Sequence, residues 1–299
     1  MRVAYHPNTY VMGDGSLGPS FARVMKCADE GGVSTIALMD HFLPLGPASD
    51  PMLEGYTALG YLAAATQSAD LMLLVSGVTH RHPVLLAKAV TTLDILSGGR
   101  SRLGIGAAWY ERENLAYGLP FPHLSQRFEL LDETLQIIRA LWSKQGGPFS
   151  GRHFTLETTE LSPMPLRRPR PPILVGGNGR RRTLRIAARH ADTCNFLVGP
   201  DTGGPALIAD LVDVLSDHCS EEGTDPGRIS KTMLYTAPVG IDASAAAAFA
   251  EEMREYAAAG IDEVFVMPLG CPDQLRFVAG LGDHVIPAVA AATRDVPAP

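Results

Sequence analysis

The chain has few cysteines, no excess of positive charge and no long apolar run. Its four cysteines, Cys27, Cys194, Cys219 and Cys271, are scattered with no CxxC pair. That pattern excludes a disulfide framework or zinc ribbon and fits reduced thiols. The formal charge of -7 argues against nucleic acid or an anionic membrane as partner, since both bind basic surfaces. No stretch approaches the ~18 consecutive apolar residues of a membrane span. The first ten residues, MRVAYHPNTY, lack the apolar core of a signal peptide, so a cytoplasmic location is expected. Core material, by contrast, is plentiful. Apolar residues make up 46% of the 299 and charged residues 19%, which is a folding composition and not a disordered one.

Short apolar runs alternate with amphipathic ones, which predicts a parallel sheet with crossover helices. The predicted strands are Val3–His6, Val33–Met39, Leu71–Val78, Arg102–Ile105, Pro172–Val175, Asp192–Leu197, Thr232–Val239 and Glu263–Met267. Helices are predicted between them, and the clearest carries Phe128, Leu131, Leu135, Ile138 and Trp142 on one face. A helix is expected from Pro83 and another from about Gly179. Residues 145–170, rich in Gly, Pro and Arg, read as an insertion before the fifth strand. Eight strands and eight helices in strict order predict a single (β/α)8 barrel over residues 1–299, not an open doubly wound sheet.

Such a barrel carries its chemistry where strands end and βα loops begin. The ends of strands one and six offer His6, Asn8 and Asn195. Strand two ends in Asp40-His41, a carboxylate and an imidazole suited to proton management or to capping a loop. GIGAAW (104–109) and GGNG (176–179) are glycine-rich turns, the latter followed by Arg180, Arg181 and Arg182. The latter is a candidate anion cradle and the former leaves room for a flat ligand near Ala107 and Ala108, unless both are plain tight turns. Strand three ends in LVSGVTHRHP (74–83), where His80 and His82 flank an arginine. A metal site would need three or four ligands. His6, Asp40, His41, His80 and His82 could converge, but His82 precedes a helix-starting proline and no late-strand His and Asp complete a set.

Several segments resemble the luciferase-like oxidoreductases, in particular their deazaflavin-dependent branch. They are RHPVLLAKAVTTLDILSGGRSRLGIGAAWYERENLAYGLPFPHLSQRFELLDETLQIIRALW (81–142), RPRPPILVGGNGRRRTLRIAARHAD (168–192), GVSTIALMDHF (32–42) and AAAGIDEVFVMP (257–268). The resemblance implies a (β/α)8 barrel with an insertion, often a homodimer, binding coenzyme F-420 or FMN and acting on a small-molecule substrate. By motif position, Asp40 and His41 would lie beside the coenzyme ring and take the catalytic roles. Gly106, Ala107 and Ala108 would line the ring, and Gly176, Gly177, Asn178 and Gly179 would hold the phosphate. The family also implies a non-proline cis peptide backing the ring at the end of strand three. Its expected place is Gly77–Val78, or else Ser76–Gly77, which makes Ser76, Gly77 and Val78 candidate coenzyme contacts.

The sugar-phosphate dehydrogenases of the family place a tryptophan and a glutamate where this chain has Leu45 and Trp109. That departure argues against a sugar phosphate and leaves the general acid or base unassigned, with His41 the best candidate. The leading expectation is hydride transfer with coenzyme F-420. Its rivals are a monooxygenase using reduced FMN, a barrel that binds flavin without turnover, and a metal hydrolase. The insertion and the loops after strands one, two and six are expected to shape the substrate pocket.

Overall fold

The computed structural model describes residues 1–13 and 15–296. The elements run β1 (Arg2–Tyr5), α1 (Leu17–Glu30), β2 (Thr35–Leu38), α2 (Gly55–Ala65), β3 (Asp70–Leu73), β4 (Ser76–Gly77) and α3 (Pro83–Leu96). Then come β5 (Leu103–Gly106), α4 (Glu111–Ala116), α5 (Leu124–Leu141), β6 (Phe149–Ser150), β7 (Thr155–Leu156), β8 (Ile173–Gly176) and α6 (Thr183–His190). The chain closes with β9 (Thr193–Val198), α7 (Gly204–Glu222), β10 (Ser230–Tyr235), α8 (Ala243–Ala258), β11 (Glu263–Val266), α9 (Gln274–Gly280) and α10 (Ile286–Ala292).

Apart from the β6–β7 hairpin, the strands form one parallel sheet in the order β3-β2-β1-β11-β10-β9-β8-β5-β4. β3 and β4 are two halves of one stave: Leu73 pairs with Leu38 of β2, and Ser76 pairs with Ile105 of β5. Leu71 also bridges to Ser101 just ahead of β5. The sheet therefore closes into an eight-stave barrel, as the alternation predicts.

Strands such as β2, β5 and β11 are buried at every position, which is why they read as continuous apolar runs. Inward-facing Ala4, Ala37, Met72, Leu174 and Phe265 fill the barrel, and Leu74, Val75 and Leu234 pack on top of them. The outward faces meet the helices. His82 caps α3 by accepting from the Val84 N–H, with Pro83 in the first turn, as the sequence suggests.

At the N-terminal end of the staves, the buried Glu263 carboxylate accepts from Arg102 at 2.8 Å, Ser34 at 2.7 Å and Thr35 at 2.9 Å. Burial pushes its pKa up, but the Arg102 and Arg2 cations outweigh that and hold it below the ordinary carboxylate value. The run Gln274–Ala292 is long and apolar enough to cross a membrane by length and composition. Its Phe277, Val278, Leu281, Val285 and Val289 are instead buried in the core.

Residues 145–170 hold the β6–β7 hairpin and an irregular arm. Glu133 of α5 accepts from the N–H groups of Arg152, His153 and Phe154, and Asp94 of α3 from those of Leu166 and Arg167. The arm is thus fastened to the outside of the barrel.

Candidate functional site

The third stave breaks between its two halves, where it leaves β2 and joins β5. The non-proline cis peptide lies there, at Leu74–Val75, and not at Gly77–Val78 or Ser76–Gly77. Ser76 and Gly77 are held in regular register with Ile105 and Gly106, so the irregular backbone falls three residues earlier than expected. The bulge needs room, and glycines supply it. A Cβ on Gly104 would stand 2.1 Å from the Leu73 carbonyl oxygen, one on Gly106 3.0 Å from Val75 Cγ2, and one on Gly176 3.1 Å from Val75 Cγ1. The two glycine-rich strand ends are therefore required by packing against Val75, independently of any ligand.

Above the bulge lies a cavity of about 360 Å³. Nine of the twelve expected catalytic and coenzyme contacts line it: Asp40, His41, Ser76, Gly77, Gly106, Ala107, Ala108, Gly176 and Gly177. The other three lie outside its lining. Val78 turns into the core and donates its N–H to the Gly106 carbonyl. Asn178 uses both ends of its amide on the Leu197 backbone, at 2.8 and 2.9 Å. Gly179 packs against Thr183, and its carbonyl accepts from the Leu184 N–H. The helix expected from Gly179 begins only at Thr183, because residues 180–182 form a turn. Gly177, at φ +126°, points its N–H at the Asn195 carbonyl. Arg180 pairs with Asp210 on α7 and not with the cavity.

Buried charge gathers at one wall. Asp40 Oδ2 accepts from Arg81 at 2.6 Å and lies 3.4 Å from His80 Nδ1. Burial pushes the Asp40 carboxyl up, but the His80 hydrogen bond and the Arg81 cation more than reverse this and keep it below the ordinary value. Arg81 reaches on to Glu54 at 2.5 Å and covers the Tyr56 ring. Among the described residues neither Asp40 Oδ1 nor His80 Nε2, both buried, has a hydrogen-bond partner, and His80 Nε2 lies 3.7 Å from Glu113 Oε1. Buried polar atoms are rarely left so.

His41 has a partner that sequence reasoning missed. Its Nδ1 lies 2.8 Å from Glu113 Oε1, while Glu113 Oε2 accepts from the Phe42 N–H at 2.8 Å. Glu113 is buried, and burial raises its pKa; the His41 and Phe42 bonds outweigh this and hold it below the ordinary value. An ionised carboxylate only accepts, so His41 Nδ1 carries the hydrogen and Nε2 is left free. Glu113 rides on α4, an element the sequence reading did not assign. Asn114 on the same helix ties it down, accepting from Thr79 Oγ1 at 3.0 Å. The only sequence signal was the ERE run at the start of α4, which periodicity does not separate from a loop. Trp109 and Tyr110 stack at 5.1 Å, and the His41 ring stands edge-on to both at 5.5 Å.

A second cavity of about 730 Å³ adjoins the first and shares His41, Leu74, Trp109, Leu197 and Leu234 with it. Loops after β1 and β2 build its far wall, including Asn8, Pro44, Leu45 and Met52, as expected. No described residue of 145–170 lines either cavity. The arm is fastened to α3 and α5 on the barrel flank, so its expected part in the pocket is corrected. Among the described residues no group of three His, Cys, Asp or Glu side chains is placed to hold a metal ion.

The luciferase-like monooxygenase family model matches residues 12–282. The pyrimidine monooxygenase RutA of Acinetobacter baylyi is 30% identical over 179 residues, 59% of this chain and 47% of that protein. The chain thus matches about half the length of that relative. An F420-dependent secondary alcohol dehydrogenase, solved with an F420-acetone adduct, superposes with a TM-score of 0.79 at 18% identity, covering 96% of this chain and 98% of the other. The oxygenating constituent of 3,6-diketocamphane monooxygenase from Pseudomonas putida, solved with FMN, gives 0.69 at 15% identity, covering 97% and 98%. At such identities the two structures speak for the barrel alone. With the family model spanning nearly all of the barrel, the chain belongs to the luciferase-like monooxygenase family.

Proposed function

We propose that the protein is an oxidoreductase that moves hydride between coenzyme F-420 and a small organic substrate. The observation that carries this reading is the His41–Glu113 pair on the wall between two adjoining cavities. Hydride transfer to or from an oxygen-bearing carbon needs a proton moved at the same place. His41 Nε2 is free to exchange it, and the buried Glu113 carboxylate stabilises the imidazolium that results.

The smaller cavity suits a flat, polar coenzyme ring. Its floor is Leu74–Val75, its rim is the backbone of Gly106–Ala108 and Gly176–Gly177, and Asp40 Oδ1 and His80 Nε2 await partners. Those residues would hold the ring, with Gly177 and Thr183 toward its phosphate. The deazaflavin would supply hydride chemistry with little reactivity toward oxygen, and the protein supplies binding, orientation and proton management. The larger cavity would take the substrate.

A second reading is a monooxygenase using reduced FMN and oxygen. It draws on the family description and on the named activity of the 30% identical relative. A barrel that binds a flavin without turnover is disfavoured by the buried carboxylate held against His41.

Fluorescence-quenching titrations with F-420 and with FMN separate these. Tight F-420 binding is expected. Tight FMN binding without F-420 affinity would replace the first reading by the second.

A further inference from the structure

His6 directly follows β1 at the mouth of the barrel and borders the larger cavity. It is 4% exposed, and its Nδ1 lies 2.8 Å from the Ala37 carbonyl oxygen. A carbonyl only accepts, so Nδ1 carries the ring hydrogen and Nε2 carries the lone pair. Among the described residues Nε2 has no hydrogen-bond partner. Burial, reinforced by nearby His41 and only partly opposed by the Ala37 bond, lowers the ring's pKa to about 4. At neutral pH the ring is an uncharged acceptor. Asn8, two residues on, lines the same cavity, and among the described residues its buried Oδ1 also lacks a partner.

The rest of that cavity is largely apolar. Met39, Leu45, Met52 and Met267 line it, and among the described residues Asp50 is its one carboxylate and no Lys or Arg lines it. Apart from His41, whose charge Glu113 already balances, no described residue there would compensate a phosphate or carboxylate, and burying an unpaired anion is costly. An acceptor held in a fixed tautomer favours a neutral ligand that donates.

We infer that His6 determines substrate specificity: its Nε2 accepts a hydrogen bond from a donor on the substrate other than the reacting group. The substrate is then an uncharged, mostly apolar molecule carrying a second hydroxyl or an amide N–H. His41 handles the reacting group, and His6 reads the second donor. This rests on the assignment of the larger cavity to substrate.

The test compares cyclohexane-1,4-diol with 4-methoxycyclohexanol, which has lost one donor, by NMR-detected titration of the coenzyme-free protein. Wild type should bind the diol about tenfold more tightly, the size expected for one lost hydrogen bond to a buried acceptor. His6→Phe should abolish the difference, and His6→Gln, which restores an acceptor, should recover part of it. Equal affinity for the two in wild type, no binding of either, or an undiminished difference in His6→Phe would each overturn the inference. Coenzyme titrations of the same proteins are read separately. Failure of wild type to bind F-420 or FMN would count against the proposed function, whereas the diol difference is measured without coenzyme and stands or falls on His6.

Discussion

The two ends of the barrel both bury charge, but they treat it differently. At the N-terminal end Glu263 is saturated: Arg102, Ser34 and Thr35 all donate to it, and none of these four side chains is left with an unpaired buried atom. At the C-terminal end, among the described residues, Asp40, His80 and Asn8 each keep a buried atom without a partner, and His6 and His41 each use only Nδ1 in a hydrogen bond. A closed network serves stability. An open one, at the end of the barrel where such folds carry their sites, leaves atoms that a ligand can complete.

The largest expected effect is at the closed end. Glu263→Ala leaves the buried Arg102 without its carboxylate and should cost about 3–5 kcal/mol of stability, measured by urea unfolding, with coenzyme affinity of the folded protein unchanged. A drop in affinity at intact stability would erase the distinction between the ends.

His41→Ala inverts the pattern. Turnover should fall about 10²–10⁴-fold, the range for a lost general acid–base group, while the unfolding midpoint hardly moves. An unchanged rate would remove His41 from the chemistry.

Gly177→Asp is a subtler probe of the same end. It puts a side chain at φ +126°, a conformation costing about 1–3 kcal/mol outside glycine, and adds negative charge beside the expected phosphate. Coenzyme affinity should weaken, and equal affinity would refute that part of the site.

The smallest effect is a difference in acid sensitivity. Folding lowers the pKa of His6 from 6.5 to about 4. Above pH 6.5 the ring is neutral in both states and contributes nothing. Between 6.5 and 4 the unfolded chain binds the proton first, so stability falls as pH falls. Glu263, Asp40 and Glu113 have lowered values, so their stabilisation is present above the ordinary carboxylate range and is lost only as pH drops below it. Denaturant titrations should therefore show wild type losing stability from pH 6.5 downward and His6→Phe losing less over that window. Parallel curves would contradict the neutral buried ring.

The comparison also marks what a linear sequence conveys. The staves were legible because each is a short apolar run bounded by Gly, Pro or polar turns, and the end-of-strand rule pointed directly to Asp40, His41, Gly106 and Gly176. Glu113 was not legible: α4 is six residues long, too short for a periodic signal, and its carboxylate meets His41 only through the folded loop. The break in the third stave was misplaced because LVSGV reads as one strand, while the change of pairing partner from β2 to β5 is a property of the closed sheet. The reach of the 145–170 arm failed likewise, since its anchors Asp94 and Glu133 are ordinary acidic residues on helices until the fold brings the arm's N–H groups to them.

The central claim is that the open hydrogen-bonding atoms at the C-terminal end belong to a bound coenzyme. A crystal structure with F-420 tests it most directly. The account predicts the deazaflavin ring over Leu74–Val75, with Asp40 Oδ1 or His80 Nε2 in hydrogen-bond contact and His41 Nε2 facing the larger cavity. A coenzyme bound elsewhere, with those atoms still unpartnered, would contradict it.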